Sequence, residues 1–408
     1  MSDTGGGHRA SAEAIKAGFA AKHGSAFDVR CVDIWTHHTP PPFNALPSTY
    51  GFLVKHSTLW RLNYYGQQPR AVHRATLACA GAAMDAALAA CFDAHDPDLV
   101  VSVHPLMQQV PLSVLARRAR RAGAAGGDAA AAPSARAPPF ATVVTDLTTC
   151  HNTWFDPRVD ACFVPTPECG ARAVRMGVHV ERVVMHGLPI RPAFGPAPDK
   201  RARAALRRRL GMDPALPAAL LVGGGEGMGA IRDTVTALAA APPPGGVQVV
   251  AVCGRNQALQ RELETTQWPA GVVVKATGFV SDMEAWMAAA DVVATKAGPG
   301  TIAEAITSRL PLLLTGFIPC QEAGNVPFVV GRGCGSFERD SQRAAATLAR
   351  WLSPEGAPEL EAMRHAVDRV AASWEGALGR IVDDLAALCA TRALPKGAAA
   401  TFADAAAA

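Results

Sequence analysis

No stretch of the sequence approaches the roughly 20 uninterrupted apolar residues that a membrane-spanning helix needs. The nearest, 77–92, is alanine-rich and broken by Asp85, so it reads as a packed helix. The ten cysteines form no CxxC pair and no histidine stands at zinc-ligand spacing from them. That pattern favours reduced thiols over disulfides or a metal site, and no metal ligands are expected. Charge of one sign is scarce as well: the net is +4, and no recognisable nucleic-acid motif accompanies it, so no nucleic-acid partner is expected. Tyrosine is rare, and Tyr50, Tyr64 and Tyr65 are all there is.

With 408 residues, 49% of them hydrophobic, the chain has material for two domains of ordinary size. Strand-like apolar runs alternate with helix-like patterns throughout, which makes the class α/β. The rest is organised around 296–304, KAGPGTIAE, which follows the apolar run 291–295 and opens onto a helical pattern. A buried strand entering Gly298, Pro299 and Gly300, then a helix carrying Thr301 and Glu304, aims backbone N–H groups and a helix N-terminus at one spot of phosphate size. Glu304 lies one turn further in, where a carboxylate could take ribose hydroxyls. The same residues also suit a plain strand–turn–helix.

A second loop of the same kind, 223–229 (GGGEGMG), follows the run 220–222 and precedes a helical IRDTVTALAA. Five glycines in seven residues clear side chains from where a ligand would approach and permit positive φ angles. Two such loops about 75 residues apart describe a nucleotide-binding half of a doubly wound sheet. A third glycine loop, 3–9 (DTGGGHR), opens a helix at the start of the chain, with His8 at the end of the glycines. A histidine at a helix N-terminus is biased towards the neutral imidazole that a general base needs, although local capping is the plainer role. Because such a loop ordinarily follows a buried strand, the chain is expected to begin inside a domain. A first strand and any transit peptide would lie before Met1.

Residues 27–34 alternate like a strand. The segment 35–68 then gathers the three tyrosines with Trp35, Phe43, Phe52 and Trp60, interleaved with Lys55, His56 and Arg61. Aromatic and cationic side chains together suit a membrane surface carrying anionic lipid; equally, the aromatics could be core. Buried strands are expected at 98–104, with His104 at the carboxyl end, and at 140–146, with His151 and Trp154 beyond it. Short strands at 160–165 and 182–186 flank a helix at 167–176, and 123–139 reads as a disordered insertion. The run 187–195, GLPIRPAFG, breaks regular structure and marks the domain boundary. Residues 1–198 hold 18 Lys and Arg against 14 Asp and Glu, and the remainder 21 against 21, so the excess sits with the aromatic segment.

In the second domain Arg255 follows the strand ending at Cys253 and could meet a phosphate, and Phe279 and Val280 follow the next strand. After a strand at 311–315, Gln321, Glu322 and Asn325 are expected to open a helix, with Gln321 and Asn325 four apart on one face and suited to sugar hydroxyls. A helical pattern at 375–389 closes the fold.

The segments SDTGGGHRASAEAI, TPPPFNALP, VSVHPLMQ, TDLTTCHNTWF, GLPIRP, GGGEGMG, CGRN, TKAGPGTIAEA and QEAGNVP together resemble the monogalactosyldiacylglycerol synthases of plant and algal plastids, in order over nearly the whole chain. The resemblance implies the GT-B glycosyltransferase architecture, two Rossmann-like doubly wound domains facing a cleft. Residues 1–195 would be the acceptor and membrane domain, 196–372 the UDP-galactose domain, 373–392 a closing helix and 393–408 a tail. It implies inverting transfer of galactose from UDP-galactose to the sn-3 hydroxyl of diacylglycerol, with His8 as base and no tightly bound cofactor. The donor would meet Arg191, Gly224, Gly225, Glu226, Gly227, Arg255, Phe279, Val280, Lys296, Gly298, Pro299, Gly300, Thr301, Glu304, Gln321, Glu322 and Asn325. Diacylglycerol and anionic lipid would meet Pro42, Phe43, Trp60, Tyr64 and Tyr65, with phosphatidylglycerol and phosphatidic acid as activators. A monotopic place on the plastid envelope is implied, and a homodimer is left open. Another lipid glycosyltransferase using a different UDP-sugar, or a UDP-sugar 2-epimerase, would share most of these features.

Overall fold

The computed structural model describes residues 1, 6–41, 43–45, 49, 53–54, 56–124, 137–196, 198–224, 227 and 230–395. The chain divides into two compact units, Met1–Arg191 with Pro319–Gln321 and Gly376–Ala408, and Pro192–Ile318 with Glu322–Glu375.

The first unit is built on a parallel sheet in the order β1 (Val100–Ser102), β2 (Phe140–Val143), β3 (Ala161–Val164) and β4 (Val183–Met185). Its helices are α1 (Gly7–His23), α2 (Ile34–His37), α3 (Ser57–Gly66), α4 (Arg70–His95), α5 (Gln109–Ala124) and α6 (Pro167–Arg175). Strands β2 and β3 are buried along their whole length, as expected of parallel strands covered on both faces. Successive side chains alternate between faces. Phe140 and Val144 pack with Met84, Leu88 and Phe92 of α4 and with Trp154. Ala141 and Val143 pack with Ile15 and Phe19 of α1.

The expected strand at 27–34 is not a strand. Residues 27–33 are irregular, and among the described residues the backbone bonds across to a neighbouring segment are those of Met1, whose amino group donates to Val32 O at 2.8 Å while Ile34 N donates to Met1 O at 3.1 Å. Alternation makes a face, but a strand needs a partner ladder as well. Most of the expected insertion, 125–136, lies outside the described residues, and its beginning forms the end of α5.

The second unit holds a six-stranded parallel sheet in the order β10 (Gly335–Phe337), β9 (Leu312–Gly316), β8 (Val292–Lys296), β5 (Ala218–Val222), β6 (Val247–Val252) and β7 (Val272–Thr277). Between and around these run α7 (Lys200–Arg209), α8 (Ile231–Ala240), α9 (Gln257–Thr265), α10 (Met283–Ala289), α11 (Pro299–Thr307), α12 (Asn325–Gly331), α13 (Ser341–Trp351) and α14 (Ala357–Trp374). The strand order reverses at β5, which pairs with β6 on one side and β8 on the other. In open α/β sheets ligands bind beyond the carboxyl ends of strands at such a switch point.

The last helix, α15 (Ala377–Thr391), belongs to the first unit. Ile381, Val382, Leu385 and Leu388 of its apolar face join the core of α1. A Cβ on Gly18 of α1 would stand 2.9 Å from Val382 Cγ2, so a larger residue there would have to displace the Val382 and Leu378 side chains of α15.

Candidate active site

His8 is the second residue of α1, whose N-cap, Gly6, takes a left-handed φ of 79°. Its Nδ1 lies 3.1 Å from Thr145 Oγ1, just beyond the carboxyl end of β2. The ring meets His104 edge-on at a centroid distance of 4.6 Å and Trp154 at 6.0 Å. Burial pushes the His8 pKa down from 6.5 to about 4, against a backbone hydrogen bond with Val103 that pulls the other way. The imidazole is therefore neutral at pH 7, as a proton acceptor must be. His104 is buried, its pKa held well below the usual histidine range by burial and then by His8, and its Nδ1 accepts from Leu106 N at 3.2 Å. Asp146, also buried, accepts from Trp154 Nε1 at 2.7 Å and so fixes the indole beside His8. Thus residues at the ends of β1 and β2 and in the turn at Asn152–Trp154 gather around the start of α1.

In the second unit the two glycine loops leave the sheet side by side, because Val222 of β5 pairs with Thr295 of β8. Gly224 and Gly227 take φ of 68° and 59°, and a Cβ on Gly227 would stand 2.1 Å from the Cys253 carbonyl oxygen. That contact seats the first loop on the end of β6, where Arg255 is exposed and Asn256 caps α9. Gly225 and Glu226 lie outside the described residues. Phe279, just beyond β7, is 69% exposed, and Val280 beside it is half-buried.

At α11, Gly298 is the N-cap and Pro299 the first helical residue, where a missing N–H costs nothing. The N–H groups of Gly300 and Thr301 precede the first intrahelical bond, Ile302 N to Gly298 O at 3.0 Å, and so face outward from the helix start. The Lys296 ammonium sits 3.1 Å from where a Gly298 Cβ would be, which adds a cation to the positive end of the helix dipole. Lys296 pairs with Glu322, whose second oxygen accepts from Ile318 N at 2.8 Å. Glu304 is half-buried in the second turn of α11.

Three expectations change. Residues 319–324 are turns and α12 begins only at Asn325, so Gln321 and Asn325 do not share a helical face. Asn325 is buried and donates to Ala297 O at 2.9 Å, which ties α12 to the loop after β8. Gln321 lies in the first unit, as does Arg191, the last residue of that unit's main segment. A turn accommodates the local backbone bond of Gln321 N to Pro319 O at 2.8 Å, which competes with helix start.

The aromatic segment divides along α3. Trp60 and Tyr64, four apart, form its buried face: Trp60 Nε1 donates to Pro319 O at 2.8 Å and Tyr64 Oη to Thr149 O at 3.2 Å. The Tyr64 ring also stacks edge-on against His151, whose pKa burial lowers to about 4. These two are core residues, contrary to a lipid-facing role, because each finds a partner for its polar atom inside. The opposite face presents Leu59, Leu62 and Tyr65, exposed to 47%, 73% and 59%. Pro42 and the Phe43 side chain lie outside the described residues.

Sequence reasoning did not pick out Thr145 and Asp146 as functional. The signal was there in the two polar residues that follow the buried strand β2.

Comparison with known proteins places these features. The family model described as monogalactosyldiacylglycerol (MGDG) synthase matches residues 8–190, and that of the glycosyltransferase family 28 C-terminal domain matches 218–325. Monogalactosyldiacylglycerol synthase 1, chloroplastic, of Arabidopsis thaliana is 46% identical over 376 residues, which cover 91% of this chain and 67% of that protein. Among solved structures, Acinetobacter baumannii MurG matches at a TM-score of 0.50 and 12% identity over 74% of this chain and 77% of that one. A putative UDP-N-acetylglucosamine 2-epimerase from Listeria monocytogenes matches at 0.51 and 14%, over 76% and 78%. Those structural likenesses speak for the fold alone, the two Rossmann-like domains of GT-B proteins. The sequence likeness goes further, and the chain belongs to the monogalactosyldiacylglycerol synthase family of glycosyltransferases.

Proposed function

We propose that the chain carries out its family's reaction, galactose transfer to diacylglycerol, as an inverting single displacement from UDP-α-D-galactose with His8 as the base. The sn-3 hydroxyl oxygen attacks the anomeric carbon from the face opposite UDP, the bond from that carbon to the diphosphate breaks, and the hydroxyl proton passes to the imidazole. The products are β-linked monogalactosyldiacylglycerol, UDP and a protonated His8 that then returns its proton to solvent. The observation that carries this is the neutral His8 imidazole, held by Thr145 at the start of α1.

In this reading the unit bearing His8 takes the lipid, and the second unit takes UDP-galactose. The N-terminus of α11, Lys296, Arg255 and the loop of Gly224 and Gly227 receive the diphosphate, and Glu304 the ribose. Arg191 adds a cation for the leaving group, and Phe279 and Val280 flank the nucleotide. Glu322 acts chiefly through Lys296, which it orients. The enzyme sits as a monotopic protein on the plastid envelope, drawn by anionic lipid such as phosphatidylglycerol or phosphatidic acid. Leu59, Leu62 and Tyr65 provide the apolar contact, and no helix among the described residues is long and apolar enough to cross a membrane.

The test is galactose transfer from labelled UDP-galactose to diacylglycerol in phosphatidylglycerol micelles, with His8→Ala alongside. Transfer lost in the variant while UDP binding persists supports the reading. Unimpaired transfer by the variant removes His8 from the chemistry, and transfer of glucose in preference to galactose refutes the donor.

A further inference from the structure

Away from His8 and the glycine loops, the end of α4 and the residue that follows α2 bring metal-ligand side chains together. Cys91 and His95 stand four apart on α4 and so share a face. His38 caps the C-terminus of α2, its N–H bonded to Ile34 O at 2.9 Å. One ligand atom from each of His38, Cys91 and His95 lies within 4.8 Å of the other two. Zinc bonds of about 2.0–2.1 Å to nitrogen and 2.3 Å to sulfur put the ligand atoms of a tetrahedral site roughly 3.5 Å apart. Side-chain rotations that bring the three about 1 Å nearer would therefore close the set on an ion. Cys91 is buried and both imidazoles are half-buried. His95 Nδ1 is shut off from solvent with no hydrogen-bond partner among the described residues, a state that buried polar nitrogens rarely keep.

We propose that His38, Cys91 and His95 form a three-ligand zinc site, with water in the fourth position. A thiolate and two imidazoles suit zinc and disfavour magnesium and calcium, which take oxygen ligands. This corrects the reading of the sequence, in which no histidine was taken to stand at ligand spacing: Cys91 and His95 do so on one helical face, and their third ligand comes from a separate element. The ion joins the residues that open the aromatic segment to the end of α4, closing the long loop that carries α3 and its exposed apolar face. A cross-link over a loop of that length removes much unfolded-state freedom. The site is independent of the transfer chemistry and acts on the ordering of the lipid-facing segment.

The whole chain, purified without chelator and dialysed into metal-free buffer, is assayed for zinc by elemental analysis and titrated with cobalt(II) under reducing conditions. Expected are one ion per chain, a near-ultraviolet thiolate-to-cobalt absorption, and a thermal unfolding transition that rises with added zinc. Cys91→Ser loses the absorption and the zinc-dependent rise. His38→Ala, a change outside any helix, weakens zinc binding at least tenfold and serves if Cys91→Ser fails to fold. Sub-stoichiometric zinc in the wild-type chain overturns the proposal. So does a cobalt absorption that survives in Cys91→Ser, or zinc affinity unchanged in His38→Ala.

Discussion

Acid should destabilise the first unit through its buried and half-buried histidines, and His8 is the one whose share can be isolated. Burial lowers its pKa from 6.5 to about 4. As pH falls below 6.5 the unfolded chain takes up a proton on this residue while the folded chain does not, so folding stability declines. The decline runs from about pH 6.5 to about pH 4 and stops once the folded protein protonates too. Over that window one histidine is worth about 3 kcal/mol, a slope of roughly 1.4 kcal/mol per pH unit at most. His151, lowered to about 4 chiefly by burial, and His104, held well below the usual histidine range by burial, add slopes of the same sign. Urea unfolding followed at pH 7, 6 and 5, in wild type and in His8→Gln, separates the contributions. The difference between the two should grow in the variant's favour by about 1 kcal/mol per pH unit as acid is added. Parallel pH dependences would show that His8 titrates alike in both states and would remove the argument that it is held neutral. An imidazole resonance of His8 titrating near 6.5 would do the same.

Gly227→Ala places a methyl against the Cys253 carbonyl at a positive φ, so UDP affinity measured by calorimetry should fall at least tenfold while the first unit keeps its stability. Trp60→Ala, in the buried face of α3, should cost about 3–5 kcal/mol in denaturant titration, whereas Leu62→Ala on the exposed face should change stability by about 0.5 kcal/mol or less. Replacing Leu62 and Tyr65 together by serine should weaken flotation with phosphatidylglycerol vesicles several-fold without altering UDP affinity; equal flotation would rule out that face as the lipid contact.

Most strands were readable because parallel strands covered on two faces appear as short apolar runs, ended by glycine in the second sheet at 220–223 and 292–298, whereas the short edge strand β10 gave no such run and was not read. The stretch 27–34 misled for a related reason. Its alternation reports one buried face, with Phe27 and Val29 packed beside Phe19, yet no described strand completes a ladder along it. The docking of α15 onto α1 was legible only as a helix, since an apolar stripe does not name its partner. It took Gly18, packed against the Val382 and Leu378 side chains, to show which helix comes close.

Composition was least reliable where it was richest. The aromatics of 35–68 suited a membrane surface and a core equally, and helical spacing divides them between the two. Trp60 and Tyr64 fall on one side of α3 and reach the backbone oxygens of Pro319 and Thr149, while Leu59 and Leu62, unremarkable in the sequence, fall on the other. The same logic explains His8. Its place after a glycine loop suggested a neutral imidazole through the helix dipole, yet burial is the larger cause. Burial depends on Thr145, His104 and Trp154, which come from three separate segments. A residue type at a helix start can be read from one stretch of sequence. The environment that sets its protonation is assembled from the ends of β1 and β2 and the turn beyond, and emerges only when the sheet brings those ends together.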